Sequence, residues 1–138
     1  LDVSIQAQII SLLKDICKKR GAAVMLITHD MGVIAETCDR VAVLYAGRIA
    51  EIGAVHEVIN HPKHPYTAGL MAAIPDIEID RAYLNQIDGA MPRLNAIPRG
   101  CAFNPRCDKV MDKCYVERPS LVNTGTTEAA CWLHAEVS

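Results

Sequence analysis

The chain has 138 residues, a formal net charge of −2 and six cysteines. That is about one domain's length, enough to bury a core, and the charge balance excludes a nucleic-acid partner held by bulk electrostatics. One Phe, one Trp and four Tyr are too few for a base-stacking platform, no stretch reaches the ~18 apolar residues of a membrane span, and no secretory signal opens the chain.

The first residues already read as mid-domain sequence, starting at Leu1 rather than Met, so a fragment of a longer protein is expected. Ile5, Ile9, Leu12, Leu13 and Ile16 recur at helical spacing and predict an amphipathic helix. Ser4 is its expected N-cap, and Lys18-Lys19-Arg20-Gly21 supplies a cationic last turn and a stop. Ala22 to Ile27 is a continuous apolar run. Without alternation it predicts a strand covered on both faces, as in parallel α/β sheets. Ligands in such sheets sit at the carboxyl ends of strands, which is where Thr28-His29-Asp30 falls. Asp30 is expected to cap a short helix from Met31 to about Thr37. Val41 to Tyr45 predicts a second strand, Ala46-Gly47 a tight turn and Arg48 to Ile52 the return strand. Ala54 to Asn60 reads as one more short helix.

The texture changes after His61. All seven prolines lie beyond it, from Pro62 to Pro119. Only Tyr66 to Ala73 still has a helical pattern, and from Ile77 to Met91 the pattern is weak. Such a tail is expected to struggle to fold on hydrophobic burial alone. It carries Cys101, Cys107, Cys114 and Cys131, separated by five, six and sixteen residues. Without an export signal, four such thiols favour metal ligation over a disulfide framework. They can satisfy tetrahedral zinc or a four-iron cluster. The paired C-x2-C knuckles of zinc ribbons are missing, and the irregular spacing suits a cluster about as well. Arg93, Arg99 and Arg106 are available to offset a cluster's negative charge. Disulfides such as Cys101–Cys107 are the expected substitute for a lost cluster. Cys17 and Cys38 read as packing residues, His56 as a solvated helix face, and His61 and His64 as loop residues capping or packing a turn rather than a metal pair. His134, near Cys131, is a weaker alternative ligand.

Taken together, Leu1-Asp2, the segment Val24-Met25-Leu26-Ile27-Thr28-His29-Asp30 and the segment from Cys38 to Glu51 resemble the C-terminal third of an ABC-transporter nucleotide-binding domain. His61-Pro62-Lys63-His64-Pro65-Tyr66-Thr67, Gly100-Cys101-Ala102-Phe103-Asn104-Pro105-Arg106-Cys107, and the later Cys114 and Cys131-Trp132 resemble the tail of the oligopeptide, dipeptide and nickel importer ATPases. The resemblance implies an α/β fold. Residues 1–60 would be the C-terminal part of a P-loop ATPase domain with a short strand hairpin, and residues 61–138 a small proline-rich, cysteine-clamped tail. It implies His29 as the switch histidine that senses the γ-phosphate, and Asp2 as the remnant of the D-loop. It also implies Cys101, Cys107, Cys114 and Cys131 as ligands of a [4Fe-4S] cluster, with zinc the alternative.

By the same resemblance, the longer protein would use ATP and Mg2+ to power peptide or nickel import. It would pair with a second ATPase subunit beneath membrane permease subunits, on the cytoplasmic face, served indirectly by a substrate-binding protein. An imidazole at a strand end can donate to a phosphate oxygen and orient the attacking water. The chain itself holds no G-x-x-x-x-G-K-[ST] loop to cradle phosphates, so alone it is expected neither to bind ATP tightly nor to hydrolyse it. With the central strands of the parent sheet missing, the 22–27 segment would leave an apolar edge open, and self-association is expected. The competing reading is a free-standing iron–sulfur or zinc module with a regulatory or redox role.

Overall fold

The computed structural model describes residues 3–74 and 86–135. Asp2 and the segment 75–85 lie outside them. The chain forms two compact units, Leu1–Cys38 and Asp39–Ser138.

The first unit contains two helices. α1 (Val3–Arg20) carries the expected cationic last turn, and Gly21 follows at φ +61°, in the left-handed region that ends helices. Ser4 lies inside its first turn instead of in front of it. α2 (Met31–Thr37) is capped as expected. Asp30 Oδ1 accepts from the backbone N–H of Gly32 at 3.0 Å and of Val33 at 3.2 Å, satisfying donors that a helix start leaves open. Lys14 Nζ donates to the Glu36 carbonyl and ties α1 to α2.

The expected buried strand is not formed. Residues 22–27 join no sheet among the described residues, and Met25 and Ile27 are 87 % and 90 % exposed. A strand buried on both faces needs neighbours on both edges, and the described residues of this unit contribute none. The apolar stripe of α1 is likewise open, with Ile5, Ile9, Leu12 and Ile16 all exposed.

The second unit is built on an antiparallel sheet with strand order β1-β2-β4-β3. β1 (Arg40–Tyr45) and β2 (Arg48–Ala54) form a hairpin in which Tyr45 faces Arg48 across a two-residue loop. Ala46 and Gly47 take φ of +48° and +78°, the mirror-image turn that matches strand twist. The register shifts between Val43 and Leu44. Only one face of β1 is covered, with Val41, Val43 and Tyr45 buried and Leu44 exposed. Short helices α3 (Val55–Asn60) and α4 (Pro65–Ala72) follow.

The tail then returns to the sheet, which its sequence did not announce. β3 (Val122–Asn123) and β4 (Thr127–Ala129) turn through Gly125, whose N–H is held by Asn123 Oδ1 at 2.7 Å. β4 pairs with β2 from Glu51↔Ala129 to Gly53↔Thr127. Gly53 permits this approach, because a Cβ there would lie 2.8 Å from Thr127 Cγ2. Between these strands come a 3-10 turn at Asn104–Arg106 and α5 (Asp112–Val116).

A fully buried carboxylate joins the hairpin, the His64 turn and the tail. Glu51 accepts from the backbone N–H of Lys63 (3.0 Å to each oxygen) and of His64 (2.9 Å), and from Thr127 Oγ1 at 2.8 Å. These donors offset the desolvation that makes an unpaired buried carboxylate costly. Beside it Tyr45, Tyr66 and Phe103 pack edge-on or tilted, with centroids 4.6–5.5 Å apart. Each such pair contributes roughly 0.5–1.5 kcal/mol beyond area burial. Arg106 straps the cluster from outside. It donates to the carbonyls of Asp88 (3.0 Å) and Ile87 (3.3 Å) and to Tyr45 Oη (3.3 Å).

Candidate functional site: a four-thiol cavity and an exposed histidine

The tail cysteines are gathered by backbone geometry. Gly100 at φ +74° lets the chain pass so close to α5 that a Cβ there would lie 2.2 Å from the Cys114 carbonyl oxygen. At this crossing the Cys101 N–H donates to the Cys114 carbonyl at 2.8 Å. Asn104 pins the same turn, its Nδ2 donating to the carbonyls of Arg99 (2.9 Å) and Cys114 (3.2 Å). The Asn104-Pro105-Arg106 turn then delivers Cys107. Cys131 arrives directly after the β4 pairing, where the Ala130 N–H donates to the Ala50 carbonyl at 2.8 Å.

All four thiols line one small cavity, together with His64, Phe103, Met111, Trp132 and the cationic Lys109. None of the six cysteines is in a disulfide. Burial raises the thiol pKa values of Cys101 and Cys107 and pushes Cys131 up to about 11, where the other three sulfurs add to the shift. Opposing this, backbone N–H groups two residues ahead donate to three of the sulfurs: Phe103 to Cys101, Lys109 to Cys107 and Leu133 to Cys131. Donors aimed at sulfur favour the thiolate, the form that binds metal. These donors temper the upward shift that burial imposes without reversing it. Among the described residues no three His, Cys, Asp or Glu side chains gather as one metal ion requires.

The arginines expected to offset cluster charge are not at the cavity. Arg106 is committed to the strap, and the cations facing the sulfurs are Lys109 on the wall and Arg118 near Cys101. The histidines sort as loop and surface residues. His64 caps α4, its Nδ1 accepting from the Tyr66 N–H at 3.0 Å, and burial lowers its pKa to about 4. His134 Nε2 is engaged by the Lys63 carbonyl at 2.8 Å and is not a free ligand. His56 is exposed beside Glu57. Cys17 and Cys38 are only half-buried.

His29 is exposed at the bend before α2, and its ring makes no hydrogen bond among the described residues. Its backbone is set by neighbours. Thr28 Oγ1 accepts from the Asp30 N–H at 3.1 Å while the Asp30 carboxylate caps α2. The imidazole is presented, and no described residue of its own unit bonds to it. Asp2 lies outside the described residues.

Residues 50–114 match the family described as the oligopeptide/dipeptide transporter, C-terminal region. Over 138 residues the chain is 46 % identical to an oligopeptide transport ATP-binding protein of Bacillus subtilis, covering 99 % of this chain and 42 % of that protein. It is 45 % identical over 134 residues to a dipeptide transport ATP-binding protein of the same organism, covering 96 % of this chain and 40 % of that protein. It is 42 % identical over 121 residues to the dipeptide transport ATP-binding protein of Escherichia coli, covering 88 % of this chain and 37 % of that protein. The chain spans about two fifths of the length of the curated relatives it matches. No described helix is long and apolar enough to cross a membrane. By its matched C-terminal region and by identity along nearly all of its length, the chain is similar to part of the oligopeptide and dipeptide transport ATP-binding proteins.

Proposed function

We propose that the chain is part of the ATP-hydrolysing subunit of a peptide-type ABC importer, the motor that closes on ATP beneath a membrane permease at the cytoplasmic face. The observation that carries this reading is identity above 40 % along 99 % of the chain to a protein named for ATP-binding in oligopeptide transport. In this reading residues 1–60 belong to the ATPase domain and residues 61–138 form the cysteine-clamped tail. His29 is the γ-phosphate switch. Its exposed imidazole, unbonded among the described residues and carried on a capped bend, suits a group that must meet a phosphate supplied from elsewhere in the motor. Asp2 belongs to the loop that communicates with the second ATPase subunit. ATP and Mg2+ are held by the phosphate loop of the motor, a motif this chain does not contain, so the chain alone neither binds ATP tightly nor hydrolyses it.

The four-thiol cavity is the place for a [4Fe-4S] cluster, held by Cys101, Cys107, Cys114 and Cys131. The support is the shared cavity and the N–H groups aimed at sulfur. Bound there, a cluster would cross-link segments with few large apolar residues of their own. Anaerobic purification with iron, sulfide and zinc assays tests this part, and absence of all three elements would refute it.

A chimera tests the motor reading. Replacing the matching region of the Bacillus subtilis oligopeptide protein with this chain is expected to retain ATP hydrolysis and peptide uptake. His29→Ala in the same chimera is expected to cut hydrolysis at least a hundredfold while leaving ATP binding in place. An assembled chimera that hydrolyses ATP equally well with and without the His29→Ala substitution would contradict the assignment.

A further inference from the structure

A second concavity in the Asp39–Ser138 unit lies on the other side of the wall formed by Cys101, Phe103 and His64, which line both it and the thiol cavity. It is an open groove of about 410 Å3, within the range of small-molecule sites. Among the described residues no acidic side chain lines it, whereas two arginines do, Arg48 from the hairpin and Arg118 from the segment before β3. This is a local excess of positive charge in a chain whose net charge is −2. The rest of the lining is largely apolar, including Phe103, Ile49 and Leu121.

The cationic groups are available. The Arg48 side chain takes part in no hydrogen bond or ion pair among the described residues, although it stands at the fixed first position of β2. Arg118 Nε donates to the Gly100 carbonyl at 3.3 Å, and its two terminal nitrogens make no hydrogen bond among the described residues. Tyr45 Oη accepts from Arg106 at 3.3 Å, which leaves its own proton to donate. Guanidinium groups with free N–H pairs match a carboxylate in geometry and charge. Apolar walls favour a hydrocarbon body, and the lack of an acid among the described lining residues disfavours a ligand that also carries a cation.

We propose that this groove is a binding site for a small amphipathic carboxylate. The carboxylate sits on Arg48 and Arg118, and an uncharged apolar body lies along Phe103, Ile49 and Leu121. This goes beyond the motor reading and does not depend on it, since neither ATP nor a permease takes part.

Calorimetric titration of the chain with N-acetyl-leucyl-leucine tests the site. Saturable binding with Kd of about 1 mM or tighter is expected. The C-terminal amide of the same compound, lacking the charge, and inorganic phosphate, lacking the apolar body, are each expected to bind at least tenfold more weakly. Arg48→Gln removes no structural bond, so it should keep the circular dichroism spectrum and weaken binding at least fivefold. Arg118→Gln, read in parallel, should weaken it similarly. No saturable binding of the carboxylate, equal binding of the amide, phosphate binding as tight as the carboxylate, or an unaffected Arg48→Gln variant would each overturn the proposal.

Discussion

The two units of this chain solve the same problem differently. Residues 39–135 close a core of their own. The hairpin, the His64 turn and the returning tail strand converge on the buried Glu51 carboxylate, and the ring cluster of Tyr45, Tyr66 and Phe103 packs beside them. Residues 3–38 make good local structure but leave Ile5, Ile9, Leu12, Val24, Met25 and Ile27 open to solvent. Sound capping and an amphipathic stripe do not make a fold when the surface that should cover the stripe is lacking. The difference teaches where the function resides. The thiol cavity belongs to the self-supporting unit, while His29 belongs to the unit whose apolar faces remain open.

Four changes should sharpen or break this contrast. The largest effect is expected from Gly100→Ala. It places a methyl against the Cys114 carbonyl at a backbone angle favouring glycine, and should cost more than ~4 kcal/mol. Urea unfolding of the 39–138 unit would show it, and a wild-type midpoint would remove the argument for the crossing. Next, Glu51→Ala strands the N–H groups of Lys63 and His64 and the Thr127 hydroxyl. A loss of about 3–4 kcal/mol is expected, and a loss below ~1 kcal/mol would mean the carboxylate does not join the elements.

The third test is acid. His64 is held neutral by burial, with its pKa lowered from 6.5 to about 4. The unfolded chain therefore binds the extra proton between those values, and stability should be full above pH 6.5 and fall as pH drops towards 4. The total is on the order of 3 kcal/mol. Thermal melts that are flat across this window would place His64 in solvent. The smallest effect on stability is expected at Ile27, exposed on the other unit. Ile27→Ser should shift the melting of residues 39–138 by less than ~0.5 kcal/mol, yet reduce the self-association seen by sedimentation velocity. A strictly monomeric wild-type chain at high concentration would contradict the expected association.

Much of the local structure was legible because it rests on local chemistry. The Asp30 cap, the Gly21 stop, the Ala46-Gly47 turn and the helices near 55–60 and 65–72 depend on neighbours a few residues away. The 22–27 segment misled for the opposite reason. Its apolar run states what would bury it but cannot supply the neighbouring strands. β3 and β4 were missed because two- and three-residue strands have almost no period to read, and they exist only because β2 offers an edge. Glu51 was illegible as well, since a glutamate in a strand reads as a solvent-facing residue until its three donors are brought to it from residues 63, 64 and 127. The gathering of Cys101, Cys107, Cys114 and Cys131 was suggested by spacing and family resemblance. The means, a close crossing at Gly100 pinned by Asn104, emerged only from the structure.

Amide hydrogen exchange on the chain tests the division most directly, at a dilution where sedimentation finds monomer. The amides of β2 paired to β1 and β4, together with those of Cys101 and Ala130, should exchange slowly and as one cooperative group, while residues 22–27 exchange near the rate of an open chain. Equal protection of residues 22–27 and β2 in the monomer, or no protection in β2 at all, would contradict the account.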